Sequence, residues 1–311
     1  MTALEDKLRE RAGALLESGE VGEVIAWGAG RFSNQTTPLF VRDAARAGAI
    51  VANEHCVNTL ATYVSAERDA LVAAVSERAA SGADGAGAAP AHKVAVCVRG
   101  CDSRGINRMI ADKQVRRDEV YLLGIPCRGV KDRATGEMLA RCMACAHPNP
   151  VVYDELLGEA VTPDPAIMEA VTQERFSEVE AIEALSREER RAHFDDAFSR
   201  CIRCYACREV CPVCTCRECF VDQQRAGWQG KQNNLNENRF YSLTRVFHIG
   251  DRCIECGECA RVCPMELPLM ELNRKFIKDL STLFAAGEEG LTDELDNALG
   301  RYDVGDVEEF M

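Results

Sequence analysis

Cys201-Ile-Arg-Cys204-Tyr-Ala-Cys207-Arg-Glu-Val-Cys211-Pro212 and Cys253-Ile-Glu-Cys256-Gly-Glu-Cys259-Ala-Arg-Val-Cys263-Pro264 are two copies of one pattern, Cys-x2-Cys-x2-Cys-x3-Cys-Pro. That spacing holds a 4Fe–4S cluster. Three thiolates at intervals of three can wrap one corner of a cubane from a tight loop. The fourth, at the start of a following helix or turn, points away, and in two-cluster proteins it ligates the other cluster. Cys201, Cys204, Cys207 and Cys263 are therefore assigned to one cluster, and Cys253, Cys256, Cys259 and Cys211 to the second. Each closing proline stops the local helix and sets the exit direction. Cys-x2-Cys pairs also serve zinc, so a zinc-structured scaffold without redox role is the bland alternative. A disulfide framework is disfavoured, because 311 residues bury a core without staples.

That length suggests two or three domains. A net charge of −13 argues against nucleic acid or an anionic membrane surface as the main partner. The opening Met1-Thr-Ala-Leu-Glu-Asp-Lys7 is polar, and no apolar stretch is long enough to span a membrane. With 17 cysteines, this points to a reducing cytoplasm and to anaerobic life.

Upstream, Leu4, Leu8, Ala12, Leu15 and Leu16 predict an amphipathic helix over residues 3–18. Residues 21–27 and 38–41 read as strands. Gly28-Ala-Gly30 between them hints at a nucleotide loop. Ser33 stands where a third glycine belongs and no helix pattern follows, so a plain turn is expected. Residues 57–64 and 67–79 read as helices, and 81–90 as a low-complexity linker. A strand (93–98), a helix (102–112, with Ile106, Met109 and Ile110 on one face) and a strand (120–125) follow. Such a crossover makes the two strands parallel.

This unit puts Cys101 and Cys127 just past the carboxyl ends of neighbouring strands, where open α/β sheets bind ligands. The helix amino end should also lower the pKa of Cys101. Cys142-Met-Ala-Cys145 follows, and the four cysteines together suggest a third cluster, with zinc or unliganded buried thiols as alternatives. Cys214, Cys216 and Cys219 crowd behind Cys211-Pro212 and suggest a further cluster or zinc, with Cys56 as a remote fourth ligand. Cys97 reads as core, and His147 as a surface residue.

Residues 151–198 read as a charged helical connector. The long link 220–250 between the runs is unlike a compact bacterial ferredoxin and resembles the α-helical ferredoxin type. A helix is expected over 267–280. From Glu288 on, Arg301 is the one basic residue among many acids, which predicts a solvated tail.

Arg99-Gly-Cys101 within residues 94–110, Gly124-Ile-Pro-Cys127, Cys142-Met-Ala-Cys145, Thr37-Pro-Leu-Phe40 and Cys56-Val-Asn-Thr-Leu-Ala-Thr-Tyr63 resemble motifs of one family. It is the beta-subunit family of deazaflavin (coenzyme F-420) hydrogenases and dehydrogenases. The likeness spans about residues 20–158, and the remainder is similar to the dicluster ferredoxin modules fused to such subunits. The resemblance implies a 4Fe–4S cluster on Cys101, Cys127, Cys142 and Cys145. It also implies a flavin (FAD) and a site for reduced deazaflavin. The chain departs from the family where it turns to a connector after about residue 158, and Cys101 lacks the preceding proline.

The expected architecture is an α/β domain with a parallel βαβ core over 1–158, a helical connector over 159–198, a mainly α-helical two-cluster ferredoxin domain over 199–280 and an acidic tail over 281–311. The expected function is an iron–sulfur electron-transfer subunit of an anaerobic oxidoreductase complex. Its partners would be a catalytic subunit of formate dehydrogenase, hydrogenase or heterodisulfide-reductase-like type and a soluble carrier. The enzyme alternative is a flavin subunit that oxidises reduced deazaflavin or NAD(P)H and passes single electrons to its clusters.

Overall fold

The computed structural model describes residues 3–80, 93–143, 145–223, 225–295, 298–300 and 305. The linker read over 81–90 and most of the acidic tail past residue 300 lie outside them. Leu8, Ala12 and Leu15 form the buried stripe of α1 (Ala3–Glu17). That helix packs against β1 (Glu23–Ala29). β1 turns back as the antiparallel β2 (Thr36–Val41), with Val24 opposite Val41 and Ala29 opposite Thr36. Gly28-Ala-Gly30 therefore runs into a hairpin, closed by a 2.7 Å hydrogen bond from Gly30 N–H to Gln35 O. The short β3 (Ile50–Val51) pairs antiparallel with the far end of β1. The two helices expected over 57–64 and 67–79 are one, α2 (Ala61–Ala80), because Ser65-Ala66 contains no breaker.

β4 (Val94–Val98) and β5 (Val120–Gly124) are buried at every position. A strand covered on both faces has no polar side to alternate with. They pair in parallel through the crossover helix α3 (Gly100–Ala111), and β4 also pairs in parallel with β1. A short α4 (Ala140–Met143) precedes β6 (Glu155–Leu156), which joins β5 in parallel at the sheet edge. The strand order is β2-β1-β4-β5-β6. The stretch read as helical from residue 151 thus begins in the sheet. Two strand residues are too few to show a period of two.

The rest is helical: α5 (Pro165–Glu174), α6 (Ser177–Glu183), α7 (Arg187–Arg200), α8 (Ala206–Glu209), α9 (Leu235–Ile249), α10 (Glu258–Arg261) and α11 (Leu269–Phe284). α9, from the long link between the cysteine runs, packs on α7 and α11. This half covers the outer face of α3, where Gly105 meets Pro212. Glu288 to Gly290, read as the start of a solvated tail, instead lie on α3. Arg104 donates to Glu289 O at 2.8 and 3.0 Å, Asn107 donates to Gly290 O at 3.0 Å, and Arg108 pairs with the Glu289 carboxylate at 3.0 Å. Among the described residues no helix is long and apolar enough to cross a membrane.

Within the α/β half, one buried ion pair ties α3 to β1 and the start of α2. Asp102 accepts from Arg99 Nε (3.0 Å) and from the N–H groups of Leu60 and Ala61, which open α2. Arg99 lies over the Trp27 ring and donates to Asn58 O at 2.7 Å. Asp102→Ala leaves the Arg99 cation buried without its carboxylate, which costs about 3–5 kcal/mol. Denaturant unfolding of the full chain should show that loss, whereas Arg116→Ala, on an exposed side chain, should change stability by less than about 1 kcal/mol. Equal midpoints for the two variants would contradict the assignment.

Candidate metal centres

The two cysteine runs build the same loop twice. The residues two and four places after the first cysteine are left-handed in both: Arg203 (φ 52°) and Tyr205 (φ 58°), then Glu255 (φ 53°) and Gly257 (φ 70°). Left-handed backbone costs a side-chain-bearing residue about 1–2 kcal/mol, so the repeat marks a constraint rather than chance. Each loop then enters a single-turn helix, α8 or α10. Gly257 has a second reason to be glycine, since a Cβ there would lie 2.8 Å from Arg141 Cβ.

Cys201, Cys204, Cys207 and Cys263 line one small cavity, with Tyr241 and Leu267 beside them. Cys211, Cys253, Cys256 and Cys259 line another, with Arg245 and Asn273. The fourth cysteine of each run stands with the first three of the other. Backbone N–H groups aim at sulfur: Arg203 at Cys201 (3.4 Å) and Leu267 at Cys263 (3.5 Å). Tyr241 Oη lies 3.4 Å from Cys207 Sγ.

A third cavity lies at the carboxyl edge of the sheet. Cys101, in the first turn of α3, lines it together with Cys127, Cys142 and Cys145. Gly100 makes this possible, because a Cβ there would come within 2.0 Å of His147 O. The loop carrying Cys145 can therefore lie against the start of α3, and Pro148 O accepts from Cys127 N–H at 2.7 Å. Gly129 and His147 N–H groups point at Cys127 and Cys145 Sγ, each at 3.4 Å. This chamber is about 380 Å³, against about 30 and 10 Å³ for the other two. Ile254, Glu255 and Cys256 from the second run form part of its wall.

The electrostatics differ from the sequence expectation at Cys101. Burial, reinforced by the Asp102 charge, pushes its thiol up to about 12 and outweighs the helix end. At the chamber wall, Glu288 takes a 2.8 Å hydrogen bond from His147 Nε2 and faces Arg175 (3.2 Å) and Arg104 (3.6 Å). The His147 hydrogen bond, then the two guanidinium groups, hold its carboxyl down at about 2. His147 is thus part of the wall rather than a free surface residue.

Of the remaining cysteines, Cys214 has its thiol against that of Cys211. Cys214 follows Cys211 in a turn (Cys214 N–H to Cys211 O, 3.1 Å), and Cys216 is exposed and lines a separate cleft with Arg68 and Lys113. Cys219 is half-buried. Cys56 sits in the α/β core with its thiol toward Val51 O and Asn53, and Cys97 is fully buried. Among the described residues, no three His, Cys, Asp or Glu side chains gather to hold a single metal ion. Four thiols ringed round a cavity, with N–H groups on their sulfur, suit a polynuclear sulfide centre.

Sequence reasoning missed Arg141, Arg245, Glu258 and Glu288. Arg245 stands four residues after Tyr241, on the same face of α9, and Arg141 directly precedes Cys142. Only the three-dimensional contacts distinguish them from other arginines.

Residues 197–267 match the family described as a 4Fe–4S dicluster domain. That match indicates a 4Fe–4S module in this part of the chain. It is similar to the F420-dependent formate dehydrogenase subunit beta of Methanocaldococcus jannaschii, 40% identical over 74 residues. It is also similar to the F420-dependent formate dehydrogenase 1 subunit beta of Methanococcus maripaludis, 35% identical over 103 residues. These matches cover 23% and 33% of this chain and 18% and 26% of the relatives, about a quarter or less of their length.

Glu288→Ala removes the carboxylate that Arg104, His147 and Arg175 share. Amide hydrogen exchange should accelerate at residues 286–291 while β4 and β5 stay protected. Unchanged exchange at 286–291 would show that the ion pairs do not hold this segment.

Proposed function

We propose that the chain is an iron–sulfur electron-transfer subunit of a formate dehydrogenase-type oxidoreductase complex. Two 4Fe–4S clusters would sit on Cys201, Cys204, Cys207 and Cys263 and on Cys253, Cys256, Cys259 and Cys211. A third would sit on Cys101, Cys127, Cys142 and Cys145. The observation that carries this is the shared wall: Cys256 lines both the chamber at the sheet edge and the Cys253 cavity. Bound clusters of this kind supply reversible one-electron transfer. The chain's own work is to hold the thiols and aim N–H groups at sulfur. The relatives' names support a catalytic formate dehydrogenase subunit as one partner and a deazaflavin-linked carrier as the other.

A second reading is favoured by the chamber. Its volume of about 380 Å³ falls within the ordinary range for small-molecule pockets. A flavin held there would convert hydride to single electrons. Yellow flavin released on denaturing cofactor-loaded protein supports this reading, and its absence removes it.

The anaerobically reconstituted chain should carry roughly twelve iron and twelve acid-labile sulfide. Cys263→Ala and Cys201→Ala should abolish the same low-temperature spin signal, and Cys211→Ala and Cys253→Ala the other dicluster signal. If Cys263→Ala matched Cys253→Ala instead, the crossed ligand sets would be wrong. Zinc without sulfide would overturn the iron–sulfur reading altogether.

A further inference from the structure

Two arginines stand where neighbouring cysteine sites meet. Arg245 projects from α9, is 5% exposed, and lines the Cys211, Cys253, Cys256 and Cys259 cavity. Its Nη2 donates to the carbonyl of Cys207, a residue of the other dicluster set, at 2.9 Å. Its Nε–H is buried without a hydrogen-bond partner, and no carboxylate pairs with it among the described residues. A buried cation without an anion is too costly to keep, so the structure must supply a negative charge from elsewhere. The sulfur sites on either side are what surrounds it.

Arg141 occupies the other junction. It belongs to α4, next to Cys142, and lines the chamber of Cys101, Cys127, Cys142 and Cys145. Its Nη1 donates to the carbonyl of Cys256 at 3.2 Å, and Nη2 donates to Val57 O at 2.6 Å. It does have a carboxylate, Glu258, at 2.7 Å, but Arg261 binds the same carboxylate at 2.7 and 2.8 Å. Two guanidinium groups on one carboxylate leave one positive charge over, and the Arg141 Nε–H is buried without a partner.

From this placement we infer that Arg245 and Arg141 are potential-setting residues. Each is a fixed cation shared by the two cysteine sites that flank it. The inference rests on the cluster assignment proposed above. An electron arriving at either flanking site adds negative charge, and a cation within a few ångströms in a low-dielectric interior favours the reduced state. A shared cation also offsets the repulsion between two neighbouring sites that are both reduced. Each arginine thus serves two sites, and the site at the centre of the row, on Cys211, Cys253, Cys256 and Cys259, is served by both.

The test is an anaerobic redox titration of the reconstituted full chain, followed by low-temperature electron paramagnetic resonance. Arg245→Met should move both dicluster midpoints to more negative potential and leave the Cys101 site unmoved. Arg141→Met should move the Cys101 site and the central site, and leave the Cys201 site unmoved. Arg245→Lys and Arg141→Lys, which keep the charge, should restore most of each shift. Should a Met variant lose iron, the Gln variant, which keeps a hydrogen-bond donor and drops only the charge, carries the same expectation. Midpoints equal to wild type, or all three moving together in either variant, would overturn the inference. Wild-type protein that takes up no iron and sulfide would instead overturn the cluster assignment beneath it.

Discussion

Under the cluster assignment proposed above, sulfur-bound negative charge inside the fold needs nearby positive charge, and this chain places buried guanidinium groups beside the cysteine sites. The requirement is severe here, since the whole chain already carries −13. Solvent cannot screen charges in the interior, where interactions are several-fold stronger than at the surface. Arg99, Arg141 and Arg245 are all at least nine-tenths buried. Each donates to main-chain carbonyls, and Arg99 and Arg141 also pair with carboxylates, Asp102 and Glu258.

The two halves of the chain meet at the same place. The carboxyl edge of an open parallel sheet is where such folds place ligands. In this chain that edge is closed by the second cysteine run. Arg141 reaches across to Glu258 and Cys256, Thr62 donates to Glu209 O, and the segment through Gly290 lies along α3. α3 is consequently buried on its polar face as well as its apolar one, with Ser103, Arg104, Asn107 and Arg108 all enclosed. The three cysteine-lined cavities then follow one another from the sheet edge into the helical half.

Much of this was legible in the residue order. Spacing pairs Cys263 with the first run and Cys211 with the second; Cys263 lines the Cys201 cavity and Cys211 the Cys253 cavity, while which thiols hold a cluster stays a proposal. The strand–helix–strand unit was equally plain, because both strands are unbroken apolar runs. β6 was not, since two residues carry no periodicity, and neither was the docking of Glu288 to Gly290. Acidic composition is the same whether a carboxylate meets water or a buried arginine. The Cys101 pKa was misjudged for a related reason: a helix end is visible in sequence, whereas burial by distant segments is not. Arg141 and Arg245 matter through tertiary contacts to carbonyls far along the chain, which no local pattern announces.

The central claim is that three iron–sulfur sites lie in a row, with the Cys253 set in the middle. It is tested most directly by the spin–spin interactions of the fully reduced, anaerobically reconstituted chain, measured by pulsed electron paramagnetic resonance. The account predicts strong coupling of the middle site to each outer one and the weakest coupling between the Cys101 and Cys201 sites. Three mutually uncoupled signals, or strongest coupling between the two outer sites, would contradict it.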